Sequence, residues 1–362
     1  MSALSFAKHL QHLLPNPNIT LFEKSRGIGG RMATRRAALS HHDGTPILFD
    51  HGAQYFTARS DVFQKQVQQW LSDHVLVKEW TEPIVSLEND LTIDHKSGDS
   101  PLGSLATTTE KGTIKRYIAS TGGMNSICKG LRKEVEGRAT FVLNSRVTAL
   151  KRENDKWHIV LENATTYQQA FDMVVLSCPP EQSLQLLKDS HIESPLMSDI
   201  NVEMSPCWAL LISFPTPLSQ SVIKGGGAFV NLKNSSIGWV SNQRLRQSEE
   251  NQQSDVWVIH ASKEWSRKNL ELTPEQAKDI LYNDFIEVLT KFDSTFSNNG
   301  LKPTYCEAHR WRYSIPTNPA ANHRVILDRD LQLACIGDWV EAGRVEGAYM
   351  SGYNLANTLS KL

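Results

Sequence analysis

The chain carries almost no net charge, few cysteines and no long apolar run. Its 38 Lys and Arg against 39 Asp and Glu leave a formal charge of −1 over 362 residues. The basic residues are scattered rather than blocked, so no positive field gathers nucleic acid or anionic lipid. The five cysteines, Cys128, Cys178, Cys207, Cys306 and Cys335, form no Cys-x-x-Cys pair, and strings such as Leu333-Ala334-Cys335-Ile336 suit buried, reduced thiols. Nothing approaches the roughly 18 apolar residues that span a bilayer, and the first residues lack the charged-then-apolar order of a signal peptide. Metal-ligand spacings, a Gly-x-Ser-x-Gly elbow and a P-loop are also missing. The expectation is a soluble, cytoplasmic protein with no metal and no nucleic-acid or membrane partner; its oligomeric state is left open.

Length favours two domains, because a single core stops growing near roughly 250–300 residues. Leu4, Ala7, Leu10 and Leu14 recur at helical spacing until Pro15-Asn16-Pro17, and a short strand, Ile19 to Phe22, then ends on Glu23. A glycine loop follows at Gly27 to Arg31, then a strand from Pro46 to Phe49 and a helix marked by Phe63, Val67, Trp70 and Leu71. Residues 80–115 read as strands and polar loops, with Ser97 to Pro101 weakly structured. A helix leads from Gly122-Gly123-Met124 through Leu131, and Phe141 to Leu143, Val147 to Leu150 and Trp157 to Leu161 read as a strand meander. Met173 to Leu176 is apolar on both faces, as a buried parallel strand is, and stops at Pro179-Pro180. Between Pro195 and Glu307, strand-like strings (Cys207 to Phe214, Gly238 to Asn242, Asp255 to His260) alternate with a helix from Pro274 to Phe292. Leu331 to Ile336 is another buried strand; it breaks at Gly337-Asp338 and feeds a helix from about Val345 to Leu359.

In a dinucleotide-binding βαβ unit, pyrophosphate rests on a helix start, glycines admit it closely, and an acid roughly 20 positions on accepts from ribose hydroxyls. Glu23 stands 20 positions after Ala3, and Ser2-Ala3-Leu4 fits the last step of a Gly-x-Gly-x-x-Gly/Ala fingerprint. The helix and second strand are present, and the first strand and first two glycines are not. An ordinary terminal helix with an unrelated Glu is the plain alternative. Gly29 and Gly30 then permit a tight loop, and Arg31 offers a fork of donors for pyrophosphate.

The string Glu23-Lys24-Ser25-Arg26-Gly27-Ile28-Gly29-Gly30-Arg31-Met32 resembles the flavin-containing amine-oxidase superfamily. Asp50 to Thr57, Met204 to Ala209, His309 to Tyr313 and Gly343 to Ala348 are together similar to its renalase-like branch, particularly the bacterial members. The resemblance runs from Leu4 to the C-terminus and implies noncovalent FAD. It implies a cofactor-binding set of Ser2, Ala3, Glu23, Lys24, Gly29, Gly30, Arg31, Met32, His51, Gly52, Ala53, Gln54, Val147, Pro179, Gly337, Asp338, Gly347 and Ala348. Gly52, Ala53 and Gln54 would lie beside the isoalloxazine, Val147 would offer main-chain bonds to adenine, and Asp338 would accept from the ribityl chain. Gln54, Tyr55, Trp311 and Tyr313 are substrate-pocket candidates, Trp311 and Tyr313 sharing one strand face. No residue is assigned as catalytic; His51 and His309 read as structural.

The implied fold class is α/β: a discontinuous Rossmann-like FAD-binding domain lacking its first strand (residues 1–78, 116–192 and 308–362) with an inserted strand-rich α+β substrate domain (79–115 and 193–307). The implied activity is oxidation of 2- or 6-dihydronicotinamide dinucleotides to NAD(P)⁺, with oxygen reduced to hydrogen peroxide. An amine oxidase or desaturase on the same scaffold is the enzyme alternative, and a flavin-free binding or remnant protein the non-enzyme one.

Overall fold

A computed structural model describes all residues except 39–45, 73–75, 82–83, 89–91, 95–113, 216–217, 219–227, 231–234, 247–254, 293–301, 320–324 and 362. Ser97 to Pro101 therefore lies outside the described residues. The chain divides into two compact units, Met1–Gly30, Ile127–Met204 and Ile315–Leu362 forming one and Arg31–Ser126 and Ser205–Ser314 the other.

The first unit is built of parallel strands and helices. Its opening helix, Ser2–Leu13, buries Leu4, Phe6, Ala7 and Leu10 and stops where Leu14 turns extended ahead of Pro15. It lies against the last helix, Val345–Leu359, so closely that a Cβ at Gly352 would come within 2.2 Å of Ser2 O and 2.7 Å of Phe6 N. The strand Ile19–Phe22 pairs in parallel with Ala139–Val142, from Ile19 opposite Ala139 to Phe22 opposite Val142. This corrects the expected meander, because only Val147–Glu153 and Lys156–Leu161 form an antiparallel hairpin. The reason lies in the turn: Asn144 N–H donates to Ser25 O and Ser145 N–H to Glu23 O, which commits the preceding strand to Ile19–Phe22.

Val174–Leu176 pairs in parallel with Leu333–Cys335, which is antiparallel to Ile326–Asp328 on its other side. Phe6, Leu10, Ala334, Ile336, Leu355 and Ala356 form one core, and Ile19, Met173 and Val175 pack against it, so both strand groups lie over the same apolar floor. A helix, Pro180–Asp189, follows where the sequence shows only a strand stop at Pro179-Pro180, because a proline at the first helical turn starts a helix as well as ending a strand.

The second unit centres on a seven-stranded sheet in the order Tyr305–Pro316, Met204–Phe214, Asp255–Ala261, Ile237–Asn242, Ala228–Val230, Ile84–Glu88 and Thr92–Asp94. Met204–Phe214 and Asp255–Ala261 are buried at every position because both sheet faces are covered. On one face Trp208, Leu210, Ile212, Trp257 and Ile259 meet Ala277, Leu281, Phe285 and Leu289 of the helix Pro274–Phe292. On the other, Ala209, Leu211, Val256 and Val258 meet Ile47 and Phe49. Those two residues belong to the strand Ile47–Asp50, paired antiparallel with Thr34–Ala37, whose two arginines hid it in the sequence. This packing places residues 31–78 with the strand-rich unit, whereas the expected cofactor and substrate domains divide the chain by role.

Among the described residues, no helix is long and apolar enough to cross a membrane, and no group of three or more His, Cys, Asp or Glu could hold a metal ion.

Candidate functional site

In the first unit the implied dinucleotide residues gather at strand ends. Ligands of open α/β sheets bind beyond the carboxyl ends of parallel strands. Glu23 and Lys24 follow Ile19–Phe22, and Cys178 and Pro179 follow Val174–Leu176; the Lys24 charge acts on the Cys178 thiol, which burial pushes up. Glu23 Oε1 accepts the Ser25 N–H at 2.8 Å, and Glu23 O accepts the Ser145 N–H at 2.9 Å, bringing Val147 within two residues of the acid. Gly29 and Gly30 take φ of 135° and 52°, and a Cβ at Gly27 or Gly30 would meet no atom within 4 Å. The loop thus has bare backbone beside a carboxylate.

Gly337 and Asp338 follow Leu333–Cys335 and open the short helix Asp338–Glu341, with Gly337 rather than Asp338 at its N-cap. Asp338 O accepts from Ala342 N at 3.0 Å and Gly343 N at 2.8 Å. A Cβ at Gly347 would lie 3.2 Å from Ala342 N and 3.4 Å from Asp338 O, so Gly347 and Ala348 stand beside that turn. The helix Val345–Leu359 starts without a side-chain cap, as does Ser2–Leu13 with Ser2 and Ala3 in its first turn. A carboxylate, bare glycine backbone and uncapped helix starts are the donors and acceptors that a phosphorylated dinucleotide calls for, so these residues fit FAD.

In the second unit, side chains distant in sequence hold segment 50–54 from several sides. Asp50 Oδ1 accepts from Thr34 Oγ1 at 2.6 Å and Met124 N at 2.8 Å, while its backbone exchanges bonds with the Gln243 side chain at 2.8 and 3.2 Å. His51 O accepts from Trp311 Nε1 and His260 Nε2, both at 2.9 Å. Ala53 N donates to Arg31 O at 2.8 Å, and Gln54 O accepts from Arg246 Nη1 at 2.7 Å. Gln54 Oε1 accepts from Trp239 Nε1 at 2.9 Å. Gly52 is required here, since a Cβ would lie 2.0 Å from Arg31 O. Arg31 Nη1 itself donates to Ser314 O at 3.0 Å, and Met32 is buried.

The rings beside this segment are paired. His51 stacks on Trp311 with centroids 5.2 Å apart and meets His309 edge-on at 4.8 Å. Burial lowers His51 to about 3 and His309 to about 4, with mutual repulsion adding to the fall at His51, so both imidazoles are neutral and weakly basic. Neither suits a general base at neutral pH. Tyr313 is partly buried and shares the Trp311 face by strand alternation. Tyr55 stacks on Trp239 at 5.7 Å and tilts against Trp80 at 5.3 Å, and the Arg116 and Arg246 guanidiniums lie 4.8 and 5.5 Å over the Trp80 ring.

Sequence reasoning missed Trp80, Arg116, Trp239, Gln243, Arg246 and His260. Gln243 and Arg246 lie 193 and 192 positions from the backbone they hold, a distance that no local spacing bridges. His260 offered a signal, as the lone ionisable side chain inside the apolar run Val256 to Ala261.

A family model described as flavin containing amine oxidoreductase matches residues 100–360, and one described as an NAD(P)-binding Rossmann-like domain matches residues 1–73. A proposed protoporphyrinogen oxidase from Exiguobacterium sp. 255-15 superposes with a TM-score of 0.70 at 15% identity, covering 99% of this chain and 96% of that one. Cyclohexylamine oxidase from Brevibacterium oxydans IH-35A gives 0.66 at 13% identity over 99% and 96% of the two chains. Putrescine oxidase in complex with putrescine gives 0.64 at 12% identity over 100% and 97%. At these identities the structural likeness speaks for the fold.

Proposed function

The chain belongs to the flavin containing amine oxidoreductase family and is an FAD-dependent oxidoreductase, and from that premise we propose that it oxidises 2- or 6-dihydronicotinamide dinucleotides to NAD(P)⁺ in the manner of the renalase-like branch. The observation that carries this reading is the group Tyr55, Trp80 and Trp239 with the partly exposed Arg116 guanidinium over Trp80. Flat aromatic faces suit a planar ring, and a cationic group beside them suits a substrate bearing phosphates. An ammonium substrate would meet like charge there. An amine remains compatible with the family and with the fold neighbours, and the Arg116 charge weighs against it.

When bound, FAD accepts the hydride and returns the electrons to oxygen, releasing hydrogen peroxide. The chain's own groups hold and orient. In this reading Glu23 would accept from the ribose, the Gly29-Gly30-Arg31 loop and the Val345–Leu359 helix start would offer donors to the pyrophosphate, and Asp338 would accept from the ribityl chain. Loss of hydride from a dihydropyridine is driven by aromatisation and needs no strong base, which suits two neutral, weakly basic histidines.

The test is a panel of 2-, 4- and 6-dihydronicotinamide dinucleotides and of primary and secondary amines, added without oxygen to FAD-loaded protein. Bleaching of the flavin band by the 2- or 6-isomers, then peroxide on admitting air, is expected. Bleaching by amines alone would replace this reading with amine oxidation, and bleaching by neither would point to a desaturase-type acceptor.

A further inference from the structure

The second unit also carries a three-stranded antiparallel sheet, with Arg116–Ala119 in the middle, Phe56–Thr57 on one side and Val77–Glu79 on the other. Phe56 stands opposite Tyr117, Thr57 opposite Arg116 and Lys78 opposite Ile118, and Trp80 N donates to Arg116 O at 2.8 Å, which extends the last pair by a residue. Side chains alternate along a strand, so this register fixes both faces. Phe56, Tyr117, Val77 and Ala119 share one face; all four are buried, and Phe56 packs on Phe63 and Trp70. Thr57, Arg116, Ile118, Lys78 and Trp80 share the other.

That other face is open to solvent. Ile118 and Trp80 are buried in its floor, whereas Thr57 and Arg116 are partly exposed and Lys78 is exposed. Lys78 and Arg116 are diagonal neighbours on it, with Cβ atoms about 7–8 Å apart. Two long cationic side chains at that spacing suit an anion bearing two charges. Glu79, between Lys78 and Trp80 in sequence, points to the opposite face, where its carboxylate accepts from Lys115 Nζ at 2.8 Å. Thr57, directly across from Arg116, makes no side-chain hydrogen bond among the described residues, so its hydroxyl is a donor beside the guanidinium.

The floor of this face is continuous with the rings already described, since Arg116 lies 4.8 Å over Trp80 and Trp80 meets Tyr55 at 5.3 Å. Exposure rises from Trp80 through Arg116 and Thr57 to Lys78. A substrate seated ring-first meets the three polar groups in that order. We infer that Lys78 and Thr57 determine specificity for the phosphate chain: Arg116 and Thr57 hold the phosphate nearest the ring, Lys78 holds the next, and the face selects a dinucleotide over a mononucleotide. The inference deepens the functional reading above and rests on it.

The experiment compares the 6-dihydro forms of nicotinamide riboside, mononucleotide and dinucleotide, which differ in their phosphates, on FAD-loaded wild type, Lys78→Met, Lys78→Arg and Thr57→Val. KM is read from peroxide release. Lys78→Met raises the dinucleotide KM about threefold to fivefold, the scale of one exposed ion pair, with a much smaller change for the mononucleotide and none for the riboside. Lys78→Arg keeps the charge and restores the preference. Thr57→Val raises KM for both phosphorylated forms and not for the riboside. Added salt narrows the preference for the dinucleotide in wild type more than in Lys78→Met. Lys78 is exposed, so loss of folding does not mask these readings. A Lys78→Met protein whose KM moves equally for all three compounds, or for none, overturns the inference. Should wild type release peroxide with none of them, the dihydronicotinamide reading falls, and calorimetric binding of the oxidised riboside, mononucleotide and dinucleotide judges the face by itself. Affinity that rises with phosphate number and levels off in Lys78→Met upholds the face; equal affinity, or no binding, overturns it.

Discussion

Arg246 Nη1 lies 3.5 Å from Asp50 Oδ2 and 2.7 Å from Gln54 O, so one guanidinium joins both ends of segment 50–54. Burial pushes the Asp50 carboxyl up and Arg246 opposes that rise. Arg246→Met strands the carboxylate in the core, and breaking a buried pair from one side costs about 3–5 kcal/mol. A group whose pKa is raised by folding contributes stability that is fullest below its unfolded value and is lost as pH climbs through the folded one. Without Arg246 the rise is greater, so the deficit in melting temperature should widen from pH 5 to pH 8. A deficit independent of pH would mean that Arg246 acts by packing on Trp80 instead.

Gly52 and Gly27 make a paired comparison. A Cβ at Gly52 would sit 2.0 Å from Arg31 O, the acceptor of the Ala53 N–H, whereas one at Gly27 would meet nothing within 4 Å. Gly52→Ala is therefore expected to destabilise the FAD-free protein by about 1–3 kcal/mol or more, and Gly27→Ala to stay within about 0.5 kcal/mol of wild type. Urea midpoints of the two apoproteins measure the contrast. Equal midpoints would show that segment 50–54 can yield where the packing says it cannot.

Glu23→Ala should weaken FAD binding roughly tenfold to a hundredfold, the loss of one hydrogen bond to a charged acceptor at about 1.5–3 kcal/mol. Because Glu23 Oε1 also accepts the Ser25 N–H, a purely structural role would be served by glutamine. Glu23→Gln should therefore keep the turn and still bind FAD more weakly than wild type. Fluorescence titration of apoprotein with FAD separates the roles; a glutamine variant that binds like wild type would take the charge out of the account.

What was legible in the sequence follows from range. The Ser2–Leu13, Pro274–Phe292 and Val345–Leu359 helices and the Ile19–Phe22 strand announce themselves by local period and by their stops. The pairing of the Ala139–Val142 strand does not, because its partner lies far back in the chain and its register is set by two turn bonds to Glu23 and Ser25. Residues that could touch a cofactor through glycines and a named acid were found by motif. Those that fix the 50–54 segment, Gln243, Arg246 and His260, were not, because a polar side chain held by a distant backbone leaves no spacing to read.

Arg116 separates the proposed substrate from its rival. Its guanidinium lies 4.8 Å over Trp80, and its main chain holds Trp80 by a 2.8 Å bond from Trp80 N to Arg116 O that a side-chain change leaves in place. Arg116→Met removes a charge while keeping most of the apolar stem against the ring. If that charge serves the phosphates of a dihydronicotinamide dinucleotide, KM should rise about fivefold with kcat nearly unchanged, and the dependence of KM on salt should flatten, since the interaction being screened is gone. A dihydronicotinamide riboside, which has no phosphate, should show the same KM with both proteins. An equal rise for riboside and dinucleotide would mean that Arg116 only supports the Trp80 ring. A fall in KM for an amine, with no effect on either nucleotide, would favour amine oxidation, the Arg116 charge then acting only by repelling an ammonium.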